Sequence, residues 1–222
     1  MGSREDTLAE LARAILAVDR PHPVRVAIDG CSAAGKTTLA DELAAVLRVH
    51  TRRRVIRAGI DHFKKPLDQR TAYPRDSPES YYLDYWDYPA LLEQLLIPLG
   101  PGGDRRYRTA VMDLPGRTPI DSPAETAPAD AVLIADGAFL QRPELVEHWD
   151  LRIYVDVSFA EVFRRGVARD RVFLGPAAES RYRSKYIPGE QRYLDEVRPQ
   201  DRADLVVGNE NPSAPALSWR SR

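Results

Sequence analysis

The sequence reads Gly30-Cys31-Ser32-Ala33-Ala34-Gly35-Lys36-Thr37 at the point that decides the fold of this 222-residue chain. The pattern is G-x-x-x-x-G-K-T, the phosphate-binding P-loop. Its glycines let the backbone wrap around a polyphosphate, so that successive N–H groups point inward. The lysine can reach the β- and γ-phosphates, and the threonine hydroxyl can ligate Mg²⁺.

The residues on either side of this motif have the pattern of a strand and a helix. Residues 24–28 alternate as a strand does, and residues 38–47 have the helical spacing of apolar side chains. Strand, loop and helix is the order that phosphate binding needs, which argues against a simple glycine turn. The residues expected to bind ATP are Gly30, Cys31, Ser32, Ala33, Ala34, Gly35, Lys36, Thr37 and Thr38.

Four more short apolar runs predict strands at residues 55–58, 131–135, 152–156 and 205–207. Strands that alternate with helices predict a parallel five-stranded sheet with helices on both faces, the three-layer α/β sandwich of P-loop NTPases. We expect one domain over residues 1–222, with a hairpin or substrate insert at about 100–125 and a basic lid at about 164–185. Two prolines and little apolar content predict a loosely ordered tail over residues 209–222.

Composition excludes several classes of protein. The chain has 32 basic and 33 acidic residues, a balance that argues against a general nucleic-acid-binding protein. Its one cysteine, Cys31, rules out a disulfide framework and a zinc site. No apolar run approaches a membrane span, so a cytoplasmic enzyme is the expectation. The sequence leaves the oligomeric state open.

Two aspartates follow predicted strands and are candidates for catalysis. Asp136 stands where P-loop enzymes hold Mg²⁺, and the alternative is a solvated loop residue. Asp61 could accept a proton from an attacking hydroxyl, or it could cap a turn.

Basic and aromatic side chains supply the other candidates. Arg165 and Arg169 could close over a transferred phosphate, or they could form a solvated helix face. A cluster of aromatic residues that includes Tyr85 alternates with Asp84. It could bind a substrate ring and its hydroxyls, or it could pack the loop onto the domain.

These segments together resemble the uridine kinase family of P-loop kinases, whose relatives include phosphoribulokinase, pantothenate kinase and nicotinamide riboside kinase. Residues 61–66, Asp-His-Phe-Lys-Lys-Pro, look like the family element that supplies a catalytic base. Residues 84–87 are similar to the ribose-contacting segment, residues 129–137 to an Ala-Asp … Glu-Gly strand, and residues 165–170 to the lid. The family's hairpin Tyr and His are replaced, in residues 111–117, by Met112 and Arg117.

The resemblance implies an ATP- and Mg²⁺-dependent kinase that phosphorylates a hydroxyl of a small molecule, with a nucleoside or another ribosyl compound as the first expectation. The catalytic residues it implies are Asp61, Lys36, Arg165 and Arg169; the metal ligands are Thr37 and Asp136; the substrate-binding residues are Asp84, Tyr85, Phe63 and Arg117. A sugar, pantothenate-like or nicotinamide riboside-like acceptor stays open. A nucleotide-binding regulator also stays open, and so does a GTPase, because residues 113–116 fit D-x-x-G.

Overall fold

A computed structural model describes residues 3–219 of the chain. The helices are α1 (Arg4–Leu16), α2 (Lys36–His50), α3 (Pro78–Leu83), α4 (Tyr88–Leu91), α5 (Phe159–Leu174), α6 (Ala177–Arg181), α7 (Ile187–Val197) and α8 (Pro199–Arg202). π-Helical turns at Leu92–Leu96 and Tyr182–Tyr186 extend α4 and precede α7. The strands are β1 (Val24–Gly30), β2 (Val55–Gly59), β3 (Arg106–Tyr107), β4 (Glu125–Thr126), β5 (Val132–Gly137), β6 (Leu151–Asp156), β7 (Leu205–Gly208) and β8 (Ala216–Trp219).

The central sheet has six strands in the order β2-β5-β1-β6-β7-β8. Strands β2, β5, β1, β6 and β7 are parallel, as the sequence predicts. Every residue of β1 and β5 is buried, as expected for strands that are covered by helices on both faces. The parallel arrangement brings the ends of β1, β2 and β5 to one edge of the sheet.

Successive side chains of the strands enter two separate cores, because they alternate between the faces of the sheet. Val26 and Ile28 of β1 pack in the core that includes the apolar sides of α1 and α2. Ala27 packs in the other core, which contains residues of α3, α7 and the turn after α4, such as Leu95. The result is the predicted α/β sandwich of three layers.

Two predictions about peripheral segments need correction. The tail that was expected to be loosely ordered from residue 209 contains β8, which pairs antiparallel with β7 and makes the sheet six-stranded. Trp219 at the end of β8 donates its indole N–H to Glu10 at 2.6 Å, so the tail is tied to α1. Residues 220–222 lie outside the described residues.

The insert at about 100–125, for which the sequence predicts a hairpin, contains only a short one. Only Arg106–Tyr107 and Glu125–Thr126 pair as strands. The intervening chain is held by single contacts, such as the bridge between Met112 and Pro119. Among residues 3–219, no helix is both long enough and apolar enough to cross a membrane.

Candidate active site

The P-loop connects β1 to α2 and has the backbone conformations that its sequence allows. Gly35 has a φ of +96°, and a Cβ at this position would lie 2.6 Å from Nδ2 of Asn209. The Nζ of Lys36 donates a hydrogen bond to the carbonyl oxygen of Cys31 at 2.7 Å. The ammonium group is therefore held against the loop itself, in a position suited to contact a polyphosphate. The loop, its glycines and this lysine fit the triphosphate of ATP.

Two residues that the sequence did not single out hold the loop from distant parts of the chain. Asn209 donates from Nδ2 to the carbonyl oxygen of Ala34 at 2.7 Å, across a separation of 175 residues. Glu190 of α7 is fully buried, and its Oε1 accepts the N–H of Ser32 at 2.7 Å and the hydroxyl of Tyr81 at 3.4 Å. Burial raises the pKa of Glu190, while its hydrogen bonds with Ser32 oppose that shift. No local pattern links these residues to the P-loop, which is why sequence reasoning missed them.

Two adjoining clefts lie beside the P-loop. The P-loop cleft has a volume of about 510 Å³ and is lined by Ala33, Gly35, Lys36, Thr37, Thr38, Arg165 and Arg169. The aromatic cleft has a volume of about 220 Å³, and its aromatic wall consists of Tyr81, Tyr85, Trp86 and Tyr186. Both clefts are bordered by Ala33, Lys36, Thr37 and Arg169. A ligand in one cleft therefore lies close to a ligand in the other.

The predicted metal ligands lie together where β5 ends. The hydroxyl of Thr37 donates to Oδ2 of Asp136 at 2.6 Å. The other carboxylate oxygen of Asp136 is 2.9 Å from Nη2 of Arg57, which also pairs with Asp41. A hydroxyl and a carboxylate are hard oxygen ligands, so this pair fits Mg²⁺ that keeps its remaining ligands as waters and phosphate oxygens. The sequence did not reveal that Arg57 holds the carboxylate of Asp136 in this position.

Asp61 lies in the 3₁₀ turn Ile60–His62 that follows β2, and it borders the aromatic cleft together with Lys36 and Asp136. Its side chain is 60% exposed and forms an ion pair with Nζ of Lys64 at 2.9 Å. Within residues 3–219, its carboxylate accepts no hydrogen bond from a backbone N–H. The hydrogen bonds therefore give no support to the alternative that Asp61 caps a turn. The carboxylate is accessible to a group bound in the cleft.

The two lid arginines differ in their environments. Arg165 donates from Nη2 to the carbonyl oxygens of Asn209 and Glu210 at 3.0 and 2.9 Å, so its guanidinium is partly engaged. Arg169 pairs with Asp170 at 2.7 Å and borders both clefts. The hydrogen bond with Asp170 raises the pKa of Arg169, so this side chain stays cationic. Arg169 is the lid residue best placed to meet a phosphate between the clefts.

Three of the four predicted substrate-binding residues do not border the aromatic cleft. Phe63 is fully buried in the core, and Asp84 is buried in an ion pair with Nζ of Lys65 at 2.6 Å. Arg117 is exposed in the turn of the insert and lines a separate surface pocket. Of these four predicted residues, only Tyr85 lies in the wall of the cleft. The binding of substrate hydroxyls by Asp84 stays a prediction, and this arrangement does not favour it, because the carboxylate is already paired with Lys65.

The segment that fits the GTPase switch signature lies away from the nucleotide site. Asp113 accepts the N–H of Arg117 at 2.6 Å within a tight turn in the middle of the insert. Neither Asp113 nor Gly116 borders the P-loop cleft or the aromatic cleft. A D-x-x-G switch must contact the nucleotide, so this geometry gives the GTPase alternative no support.

Comparisons with known proteins agree with this architecture. The model of the phosphoribulokinase / uridine kinase family matches residues 25–211. A uridine kinase from Lactobacillus johnsonii is 26% identical over 195 residues, which cover 86% of this chain and 90% of the relative. Uridine-cytidine kinase B from Dictyostelium discoideum is 27% identical over 192 residues, covering 84% of this chain and 74% of that protein.

A solved structure, a possible uridine kinase from Bacillus stearothermophilus, shares the fold. It superposes with a TM-score of 0.72 and is 24% identical, and the match covers 91% of this chain and 97% of that one. The P-loop, the parallel sheet and the match of the family model over most of the chain lead to one conclusion. This chain belongs to the phosphoribulokinase / uridine kinase family of kinases.

Proposed function

We propose that this protein transfers the γ-phosphate of ATP to a hydroxyl group of a small molecule. The observation that carries the proposal is the meeting of Lys36, Asp61, Asp136 and Arg169 around the aromatic cleft, which adjoins the P-loop cleft. A general base, two cationic groups and a metal-binding carboxylate are the parts that phosphoryl transfer needs. The aromatic wall supplies an apolar surface for the acceptor.

Each side chain has a separate task in this scheme. The acceptor hydroxyl gives its proton to the carboxylate of Asp61 as its oxygen bonds to the γ-phosphorus, and the bond to the β–γ bridging oxygen breaks to leave ADP. Lys36 and Arg169 neutralise the charge that develops on the transferred group. Thr37 and Asp136 would hold Mg²⁺, which would supply further neutralisation of the phosphates.

The chemical class of the acceptor is inferred from the relatives of this chain and from the residues of its insert. The curated relatives are uridine and uridine-cytidine kinases, which makes ribosyl compounds the first acceptors to test. Plain uridine is expected to be a poor acceptor, because Met112 and Arg117 stand where the family places the Tyr and His of its hairpin. A pocket without those polar partners loses most of its discrimination for a pyrimidine. Sugars and other small alcohols remain alternatives.

An acceptor screen tests the proposal. Purified protein is incubated with ATP and Mg²⁺, and ADP formation is measured with nucleosides, ribosides, pentoses, sugar acids and pantothenate. At least one hydroxyl compound is expected to raise ADP formation well above the rate without acceptor, and uridine is expected to be weak. ADP formation that no acceptor stimulates would favour a nucleotide-binding regulator instead.

Replacement of Asp136 tests the metal site. Asp136→Asn is expected to raise the Mg²⁺ concentration needed for half-maximal activity by roughly tenfold or more, because a neutral amide is a poorer ligand for a hard cation. Asp41→Asn is the matched control, since Asp41 also pairs with Arg57 but its side chain is 65% exposed and borders neither cleft. Equal Mg²⁺ dependence of the two variants would remove Asp136 from metal binding.

Removal of a lid arginine tests the role of Arg169. Arg169→Ala is expected to lower kcat by roughly tenfold or more and to raise the KM for ATP, because it removes a charge-assisted contact with phosphate. Arg183→Ala is the comparison, because Arg183 is exposed and lies over the ring of Phe163, 4.3 Å from the ring centroid to the guanidinium carbon. If both variants kept wild-type kinetics, Arg169 would have no role in phosphate binding, and the arginines of this segment would only form a solvated helix face.

A further inference from the structure

Two side chains of the lid bind one edge of the Arg169 guanidinium. Its Nε donates to Oδ1 of Asp170 at 2.7 Å, and its Nη2 lies 3.4 Å from Oδ2 of the same carboxylate. Nη2 also donates to the hydroxyl of Tyr182 at 3.2 Å, and that hydroxyl donates to Oδ2 of Asp170 at 3.1 Å. The three side chains therefore form a closed ring of hydrogen bonds, and we refer to Asp170 and Tyr182 as the lid anchor of Arg169.

Tyr182 has a fixed position because it belongs to a core and not to the surface of the lid. Its side chain is fully buried and lies in a small core with Cys31 of the P-loop and Val162 of α5. Gly166 leaves the space that the ring occupies, because a Cβ at this position would lie 2.2 Å from Cζ of Tyr182. A ring that is enclosed in this way cannot move without disturbing its neighbours. The hydroxyl is therefore presented to Arg169 from a fixed point.

The hydroxyl of Tyr182 can serve both partners at once. Burial raises the pKa of Tyr182, and the charge of Arg169 opposes this shift without cancelling it. The hydroxyl therefore keeps its proton at neutral pH and donates it to Asp170, while its oxygen accepts the N–H of Arg169. Phenylalanine has the same ring but can form neither bond, so the contribution of the hydroxyl can be separated from the packing of the ring.

The lid anchor occupies one edge of the guanidinium and leaves the other edge free. A guanidinium carries five N–H groups in a planar fork. Nε and Nη2 of Arg169 contact the anchor, whereas Nη1 has no hydrogen-bond partner among residues 3–219. Arg169 borders both clefts, so the free edge is available to a phosphate at their junction. Two parallel N–H groups bind phosphate oxygens well only if the plane of the fork is correctly oriented.

The ring of Tyr182 also packs behind the wall of the aromatic cleft. Tyr182 and Tyr186 are the first and last residues of the π-helical turn, a kind of turn that is frequent at functional sites. Their rings meet edge to face, with centroids 5.1 Å apart and planes at 79°. Tyr186 borders the aromatic cleft. Replacement of Tyr182 by phenylalanine keeps this ring contact, so it should leave the acceptor wall intact.

We propose that Tyr182, together with Asp170, is a positioning residue that orients the free edge of Arg169 toward the transferred phosphate. This inference rests on the proposed function, because it concerns the contact of Arg169 with the γ-phosphate. Tyr182 borders neither cleft, so it contacts neither the nucleotide nor the acceptor. It acts on the reaction only through Arg169, and its hydroxyl should therefore matter only while Arg169 is present.

A double-mutant cycle tests the inference. The kcat and the KM values for ATP and acceptor are measured for Tyr182→Phe, for Arg169→Ala and for the double variant. Tyr182→Phe is expected to lower kcat roughly three- to tenfold while the KM for the acceptor stays unchanged, because it removes one hydrogen bond to a charged group. In the Arg169→Ala background the same substitution is expected to change kcat by less than about twofold, because no guanidinium remains to be oriented.

A matched control and a second variant accompany the cycle. Tyr107→Phe is the control, because Tyr107 is also buried and its hydroxyl donates to a carboxylate, that of Glu125, at 3.4 Å. Tyr107 borders neither cleft, and its variant is expected to keep wild-type kcat. Asp170→Asn weakens the other half of the lid anchor, and its effect is also expected to vanish in the Arg169→Ala background. It tests the inference if the thermal unfolding midpoint shows that Tyr182→Phe folds poorly.

Three kinetic outcomes would overturn the inference while the kinase function stood. One is wild-type kcat in both Tyr182→Phe and Asp170→Asn. Another is a loss in Tyr182→Phe that multiplies with the loss in Arg169→Ala, because the hydroxyl would then act independently of the arginine. The third is an equal loss in Tyr107→Phe, because the effect would then belong to the removal of any buried hydroxyl.

Calorimetry decides the outcome if no compound is phosphorylated. The affinities for ADP and for the non-hydrolysable β,γ-imido analogue of ATP are measured with Mg²⁺ for the same variants, since their ratio reports contacts with the γ-phosphate. The preference for the triphosphate is expected to fall about threefold or more in Tyr182→Phe, with no further fall when that change is added to Arg169→Ala. That result would support the lid anchor, although the transfer function would then lack support. A preference that Tyr182→Phe leaves unchanged would overturn the inference.

Discussion

Lys36→Ala is expected to abolish phosphoryl transfer while the protein remains folded. Lys36 contributes a cation at the point where the P-loop cleft and the aromatic cleft meet. The loss of a charge-assisted contact that strengthens in the transition state should slow the reaction by about a hundredfold or more. The rate of ADP formation at saturating ATP and acceptor is the measurement.

The stability of this variant serves as its control. Lys36 is partly exposed, and its ammonium group bonds to the carbonyl oxygen of Cys31 in its own loop. Its removal should therefore leave the thermal unfolding midpoint nearly unchanged. Activity within a few-fold of the wild type would remove Lys36 from the mechanism.

Asp61→Asn is expected to lower kcat by roughly 10²–10⁴-fold with little change in ATP affinity. Asparagine keeps the shape of the side chain but cannot accept the proton of the acceptor. The variant loses the charge of an ion pair in which Lys64 is buried and Asp61 is exposed, so some loss of stability is expected and the thermal unfolding midpoint is measured on the same preparation. The comparison of kcat with the Kd for ATP, measured on the same preparation, separates catalysis from binding.

Asp68→Asn is the matched control, because Asp68 is an exposed aspartate of the same connecting segment that does not border the aromatic cleft. It should retain wild-type kcat. If Asp61→Asn unfolded the protein and its folded fraction kept normal specific activity, Asp61 would have a structural role and the base would have to be sought elsewhere.

The fold could be predicted from the sequence where local patterns determine the structure. The glycine spacing of residues 30–37 and the apolar runs at residues 55–58 and 131–135 predict strands and a loop that the structure contains. The tail could not be predicted in this way. β8 depends on pairing with β7 and on the bond from Trp219 to Glu10, and the sequence around it shows prolines and few apolar residues.

The site could be predicted only in part, for a similar reason. Motif spacing and the predicted strand ends pointed to Lys36, Asp61 and Asp136, which the structure brings to the border of the aromatic cleft. These patterns did not reveal Glu190, which reaches the loop across 158 residues. They also gave no sign of the ion pair between Asp84 and Lys65, because that pair depends on the fold of the connecting segment. Long-range contacts between side chains leave no periodic signal in the sequence.

The most direct test of the central claim is a single-turnover reaction with ATP labelled at the γ-phosphate and the best acceptor from the screen. The claim is that Asp61 and Lys36 serve one transfer reaction in the joined clefts. The label is expected in the acceptor, in equal amount to the ADP formed, at a rate that falls at least a hundredfold in both Asp61→Asn and Lys36→Ala. Release of the label as free phosphate at the same rate with and without acceptor would contradict the claim.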